Sequence, residues 1–320
     1  MNIGYLSLKT IRYIYRKCFL KESDGRNWKM FPVKDYANDM ITDLLTLDAP
    51  CMVARLGSTE LLCLVNYLGV TKPENYTCFL KYIRSQSPPW WWEPKTINQM
   101  QTCAGFFPKN MECIKQFCEL MIKDMQQVDL LGSWIKDERY FDSELSQAKR
   151  VMLEDLEPFF ATRPWTWALA GKKVVVVHPF AETIEKQYKR RDLIFENNLL
   201  PEFSLRTVQA VQSIGGESNG FSTWFDALEW MKKEIDKEDY DICILGCGAY
   251  GFPLAANVKR QGKKAIHLGG VTQLLFGIKG KRWENFIVYP YRNFYNDCWV
   301  RPGEKETPRD AAKVEGGCYW

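Results

Sequence analysis

Three glycines with the spacing Gly-x-Gly-x-x-Gly, at Gly246, Gly248 and Gly251, follow an apolar run late in the chain. An apolar-periodic segment comes next and is closed by Gly262. Glycine lets the backbone approach a ligand closely, and the start of a helix offers free N–H groups to a phosphate. This order of strand, glycine turn and helix favours binding of a phosphorylated small molecule, a nucleotide or a nucleotide-sugar. The alternative is a turn that only packs.

The dinucleotide-binding form of this motif carries an acidic residue at the end of the next strand, where it binds a ribose hydroxyl. Here the next strand-like run, 265–268, continues into Gly269 and Gly270 without a carboxylate. A nicotinamide or flavin enzyme is therefore disfavoured. Tyr250, His267 and Gly269 join the three glycines as candidate ligand-binding residues.

A second group of candidates, residues 55–60, follows an early strand-like run. Arg55 at a strand end can clamp a phosphate with two hydrogen bonds. Gly57 and Ser58 form a turn before a helix, and Glu60 can ligate a divalent cation or act as a base. The alternative is structural, with an Arg–Glu ion pair and a glutamate that suits the positive end of the helix.

A third group begins at His178, the end of the clearest strand, 172–178. A histidine there can act as a base or donate to a phosphate, or it can be a structural hydrogen-bond partner. Arg190 and Arg191 can neutralise a diphosphate, or they can belong to a solvated helix face. Asp192 is a further candidate base.

Strand-like runs alternate with helical patterns along most of the chain. The predicted strands are 51–54, 128–134, 172–178, 205–211, 242–245 and 265–268, and the predicted helices include 35–47, 59–68, 94–125 with a break near Pro108, 144–157, 183–197 and 223–235. This alternation predicts an α/β fold, a Rossmann-like, mostly parallel sheet with helices on both faces. Ligands bind at the carboxyl ends of such strands, so we expect the three groups to converge in one pocket.

Composition narrows the class of protein. The 320 residues are 46% hydrophobic with a net charge of +4 and no long basic block, which gives no case for nucleic-acid binding. The eleven cysteines are scattered, and the apolar settings of Cys51, Cys63, Cys243 and Cys247 predict reduced core thiols in a cytoplasmic protein. We divide the chain into a basic amphipathic segment (1–30), one α/β domain (31–300) and a tail (301–320).

Two further segments stand out. Residues 1–22 mix apolar and basic side chains, and no acidic residue precedes Glu22. Such a segment predicts either peripheral contact with an anionic membrane, at its inner face, or a packing helix with a solvated basic face. The run Trp90-Trp91-Trp92 predicts packing, stacking on a sugar or contact with a lipid acceptor.

The order of these pieces resembles that of the GT-D-type glycosyltransferases of bacterial capsule and O-antigen assembly. The resemblance spans roughly residues 50–280. Residues 55–60 are similar to the family's Arg-x-Gly-Asp-Gly-Glu segment, residues 190–195 to its Arg-containing turn with Asp-Leu-Phe, and residues 241–270 to its final strand–turn–helix–strand unit. It implies transfer of a sugar from a nucleotide-sugar, a UDP-sugar, to a glycan or lipid-linked acceptor.

The chain departs from that family in its metal motif. The first aspartate of the family's Asp-x-Glu is Ser58 here, and a hydroxyl is a weak ligand for Mg²⁺ or Mn²⁺. Glu60 alone would bind such a metal poorly, so metal held partly by substrate phosphates, catalysis without metal and loss of activity all stay open. The other hypotheses are a non-catalytic nucleotide-binding or assembly protein of the same fold, and a Rossmann-type oxidoreductase or methyltransferase.

Overall fold

The computed structural model describes residues 3–19, 34–71, 76–213, 218–284, 290–308, 311 and 316–320. Within them one sheet runs in the strand order β3-β2-β1-β7-β6-β4-β5, and every pairing is parallel. The strands are β1 (Cys51–Arg55), β2 (Leu130–Ser133), β3 (Lys149–Met152), β4 (Lys173–His178), β5 (Ser204–Gln209), β6 (Ile242–Leu245) and β7 (Lys264–His267). The predicted α/β fold with a Rossmann-like parallel sheet is confirmed.

Helices connect these strands and cover both faces of the sheet. They are α1 (Ile3–Phe19), α2 (Lys34–Thr46), α3 (Ser58–Val70), α4 (Tyr76–Ile83), α5 (Pro94–Thr102), α6 (Met111–Met125), α7 (Ala181–Tyr188), α8 (Trp224–Asp236), α9 (Gly251–Arg260), α10 (Thr272–Leu275) and α11 (Lys281–Glu284). The predicted break near Pro108 falls between α5 and α6. Residues 1–2 and 20–30 of the predicted basic segment lie outside the described residues. No helix in the described ranges is long and apolar enough to cross a membrane.

One predicted helix is wrong, and another is correct only in its first half. The segment predicted as a helix over 144–157 contains β3, which pairs with β2, followed by a 3-10 turn. Burial of Val151 against the sheet outweighs the local helical pattern. The helix predicted over 183–197 ends at Tyr188, and a 3-10 turn at Arg191–Leu193 follows it.

The strands separate two hydrophobic cores because successive side chains point to opposite faces. In β4, Val175 and Val177 belong to one core, whereas Val174 and Val176 belong to the other. The predicted core thiols Cys63, Cys243 and Cys247 lie in the first core and Cys51 in the second, and each is a free thiol.

At two places in the sheet, the helices that follow two adjacent strands pack on opposite faces of the sheet. Helix α7, after β4, packs in the core that contains Val174, whereas α9, after the neighbouring β6, packs in the core that contains Val175. The same holds for α3 after β1 and α10 after β7. Such divergence opens a crevice at the carboxyl edge of a parallel sheet, which is the usual ligand position in this architecture.

Candidate functional site at the carboxyl edge of the sheet

A cavity of ≈ 120 Å³ occupies the crevice between β4 and β6. Its walls come from several distant parts of the chain. They include His178, Ser213, the turn at 246–250, Gln273, Tyr319 and Trp320. The volume lies below the ~300–1,000 Å³ of a typical small-molecule pocket. As it stands, the cavity therefore admits only part of a nucleotide.

The three motif glycines have different roles. A Cβ on Gly246 would stand 2.7 Å from Cβ of Thr272 and would also meet the His178 ring, and a Cβ on Gly251 would collide with the His267 ring. These two glycines make room for imidazoles. Gly248 has a φ of 57° and open space around its Cα, so it provides the left-handed turn and the open approach.

The backbone beside Gly248 is suited to an anion. The 3-10 turn Gly248–Tyr250 leads directly into α9. Within the described part of the chain, no group accepts a hydrogen bond from the N–H of Gly248 or Ala249. Free N–H groups at the start of a helix bind anions, because the helix dipole adds to their partial charge.

His178 is a neutral hydrogen-bond donor. The Phe180 N–H donates to its Nδ1 at 2.9 Å, which leaves the proton of the ring on Nε2. Burial lowers the pKa of His178 to about 3. The ring is therefore uncharged at neutral pH and too weak a base to take a substrate proton. Its ring lines the cavity.

His267 is also neutral, with the opposite tautomer. Its Nδ1 lies 3.3 Å from the Leu245 carbonyl oxygen, which can only accept, so Nδ1 carries the proton. Burial, and then the nearby Arg55 charge, lower its pKa to about 3. This ring holds β7 against β6 and packs on Gly251.

Tyr250 forms part of the cavity wall and is not a base. Its ring stacks on Trp224 with centroids 4.6 Å apart. Ser213 donates its one hydroxyl proton to the Gly105 carbonyl at 2.7 Å, so the Tyr250 hydroxyl, 2.9 Å away, must donate to Ser213. Burial raises the pKa of Tyr250 well above its ordinary value.

Arg55 lies in the second crevice, between β1 and β7. The residue is half-buried, and its guanidinium stands over the Trp134 ring, 5.2 Å from the centroid. The Cδ of Arg55 would lie 3.7 Å from a Cβ on Gly269. Burial lowers its pKa, and the charge of Glu60 opposes that change. In the described ranges nothing accepts a hydrogen bond from it. A half-buried cation without an acceptor is suited to bind an anion.

Tyr319 stands where the two crevices meet. It lines the cavity, and its ring lies against Gly270. The Arg282 guanidinium stacks over that ring at 4.8 Å and donates to its hydroxyl at 3.1 Å. Gln273 donates to the Tyr319 carbonyl at 3.1 Å. Tyr319 thus lies between the arginines and the cavity.

The residues at the start of α3 do not fit the two-carboxylate metal set that the family resemblance implies. Ser58 is exposed, and the Glu60 carboxylate folds back onto its own helix start, where a Cβ on Gly57 would collide with it. In the ranges that the structure describes, no three His, Cys, Asp or Glu side chains come together as metal ligands. This donor set offers a cation one carboxylate and one hydroxyl.

Arg190, Arg191 and Asp192 do not join this edge, so the prediction of one pocket is wrong for them. Arg191 pairs with Glu202 at 3.3 Å, and the Glu202 carbonyl accepts from Gly171, which precedes β4. They therefore lie at the amino edge, and a six-residue strand separates the edges by ~20 Å. The reason is α7, which carries the chain back along the sheet.

The site also contains residues that the sequence analysis missed. They are Trp134, Ser213, Gln273, Arg282, Tyr319 and Trp320. Trp134 directly follows β2, so the rule that ligands bind at strand ends would have indicated it. The residues from the tail carry no local signal.

The chain was compared with protein-family models, with curated proteins and with solved structures, and none of the three comparisons found a match.

Proposed function

We propose that the protein is a glycosyltransferase that moves a sugar from a nucleotide-sugar, a UDP-sugar, to a glycan or lipid-linked acceptor of a surface polysaccharide. One observation carries the proposal: the half-buried Arg55 guanidinium has no hydrogen-bond acceptor among the described residues and lies at the carboxyl edge. The order of motifs, similar to that of GT-D-type glycosyltransferases, supports the same reaction. Buried free thiols such as Cys243 fit a cytoplasmic location.

The donor's diphosphate would lie between the two crevices. The N–H groups of Gly248 and Ala249 would hold one phosphate, and the Arg55 guanidinium would hold the other. The Nε2–H of His178 would donate to the same ligand from the cavity wall. Because Tyr319 stands between these groups, its ring must move when the donor binds.

In the transfer, the bond between the anomeric carbon and the diphosphate breaks and a bond to the acceptor oxygen forms. Arg55 would stabilise the charge that develops on the departing diphosphate. Glu60 would take the proton of the acceptor hydroxyl. Asp192 is excluded by its place at the amino edge, and His178 by its neutral, weakly basic ring.

A second candidate is a nucleotide-binding protein without catalysis. The position of Glu60 favours it, because the carboxylate rests on the start of its own helix next to Gly57. The transferase and the binding protein would bind the same nucleotide, and only the transferase would turn it over.

Two measurements test both candidates. Calorimetric titration measures the binding of UDP, UDP-sugars, GDP-sugars, NAD and S-adenosylmethionine, and an assay for free nucleoside diphosphate measures turnover. Binding of a nucleotide-sugar with release of free nucleoside diphosphate supports the transferase. Binding without release in the presence of acceptor glycans supports the binding protein, and a response to NAD or S-adenosylmethionine alone supports an oxidoreductase or methyltransferase. No binding of any nucleotide would overturn the proposal.

A further inference from the structure

Helix α1 packs by one face on an aromatic platform, which we define as Tyr82, Trp90 and Trp91. Tyr5 stacks on Trp91 with ring centroids 4.4 Å apart, and the Arg12 guanidinium lies 4.4 Å from the centroid of Tyr82. Lys9 forms an ion pair with Glu93. The run Trp90-Trp91-Trp92 is thus used in packing, with Trp92 half-buried against Tyr67. The basic side chains Lys9 and Arg12 face the protein.

The side of α1 that faces away from the platform carries exposed apolar side chains. Leu6, Ile11 and Ile14 project within about 140° of one another around the helix axis, and each lies about a quarter-turn or more away from Tyr5 and Arg12. Of the fourteen exposed large apolar side chains in the described residues, seven belong to α1 and the adjoining α4: Leu6, Ile11, Tyr13, Ile14, Phe19, Phe79 and Leu80. Such a concentration on two contacting helices is typical of an interaction site.

The same surface is strongly basic. Besides Lys9 and Arg12, which face the protein, residues 3–19 and 76–92 contain four Lys and Arg side chains and no Asp or Glu. Arg16, Lys17, Lys81 and Arg84 are exposed beside the apolar side chains. A second copy of this chain would bring like charges together, whereas an anionic lipid surface complements them.

We propose that α1 and α4 form a surface that binds bilayers containing anionic phospholipid. Helix α1 lies in the plane of the membrane, where Leu6, Ile11 and Ile14 enter the acyl boundary and Lys17 and Arg84 contact headgroups. The aromatic platform supports α1 from beneath and fixes which face points outward. The surface is separate from the carboxyl-edge site, so the inference is independent of the proposed transferase activity.

Co-sedimentation of the full chain with vesicles tests the proposal. We expect binding to vesicles of phosphatidylcholine mixed with phosphatidylglycerol, weakened by added salt, and little binding to phosphatidylcholine alone. Leu6→Ser weakens binding about tenfold because a buried leucine is lost. Leu193→Ser is the matched control, because Leu193 is 60% exposed and Leu6 is 53% exposed, and it leaves vesicle binding unchanged.

The contribution of the basic side chains is tested by the same co-sedimentation with vesicles. Lys81→Glu weakens binding to anionic vesicles about tenfold, whereas Lys189→Glu, at an exposed lysine outside this surface, does not. Unchanged thermal midpoints establish that the variants fold. The proposal is overturned by equal binding to both kinds of vesicle, by absence of binding, or by a concentration-dependent dimer in ultracentrifugation that Leu6→Ser dissociates, which would show that a second copy covers the surface.

Discussion

The imidazole of His178 lies against the Cα of Gly246 so closely that a methyl group on that carbon would stand 2.5 Å from Cδ2 of the ring. His178 is the last residue of β4, and Gly246 directly follows the adjacent strand β6. The glycine turn and the histidine are therefore one packing unit at the edge of the crevice. A change in either residue alters the cavity wall.

Gly246→Ala should lower the free energy of unfolding by about 1–3 kcal/mol because the new methyl group meets both His178 and Thr272. Gly248→Ala is the matched control, since it adds a methyl group in open space and carries only the strain of a positive φ, about 1 kcal/mol. Urea unfolding of the two variants measures the difference. A smaller loss for Gly246→Ala than for Gly248→Ala would contradict the packing that we describe.

The two histidines should make the fold sensitive to mild acid. Their pKa is about 3 in the folded protein against 6.5 ordinarily, so below 6.5 the unfolded chain binds protons that the folded chain does not. Stability is complete above about pH 6.5 and falls as the pH decreases toward 3, by about 1.4 kcal/mol per pH unit for each fully titrating imidazole. Urea unfolding at several pH values checks the slope. His178→Asn should reduce that slope by about half, and a slope that stays the same would mean that His178 is protonated in the fold.

Arg55→Gln should weaken binding of UDP by about 30-fold, since charge-assisted hydrogen bonds to phosphate are lost. The thermal midpoint without ligand should change little, because Arg55 donates no hydrogen bond to a described residue. Arg190→Gln is the control at the amino edge and should leave binding unchanged. Equal effects of the two substitutions in calorimetry would remove Arg55 from the proposed site.

Tyr319→Ala should strengthen binding of UDP several-fold. The ring lies on Gly270 beside a cavity of ≈ 120 Å³, and its removal enlarges a space that is smaller than a nucleotide needs. Tyr319→Phe is the matched control, because it keeps the ring and loses only the hydroxyl that accepts from Arg282. Weaker binding by Tyr319→Ala would show that the ring holds the ligand and does not obstruct it.

Much of the fold could be predicted because its strongest local patterns agree with its tertiary structure. The valine run of β4 and the strand–turn–helix unit from Ile242 to Arg260 were both recognisable. The edge strand β3 was not, because its four residues carry no apolar alternation and only Val151 is buried. Short edge strands are defined by their partner more than by their own residues.

The site was predictable where a residue ends a strand and not elsewhere. Arg55, His178 and Gly246 each follow directly from a strand end, and parallel strands bring such ends together. Arg190 was misplaced because the eight residues of α7 carry the chain ~12 Å back along the sheet. Tyr319 reaches the edge through contacts between distant parts of the chain, which no local pattern indicates.

The uniformity of β4 has a consequence for the alignment of this strand with its neighbours. Because Val174, Val175, Val176 and Val177 are identical, slippage by one position would exchange valine for valine in both layers of the interior. Only the polar ends would register the error, because the Lys173 ammonium would lose its ion pair with Asp239 and His178 would leave Gly246. The phase of β4 is thus set by its two terminal side chains.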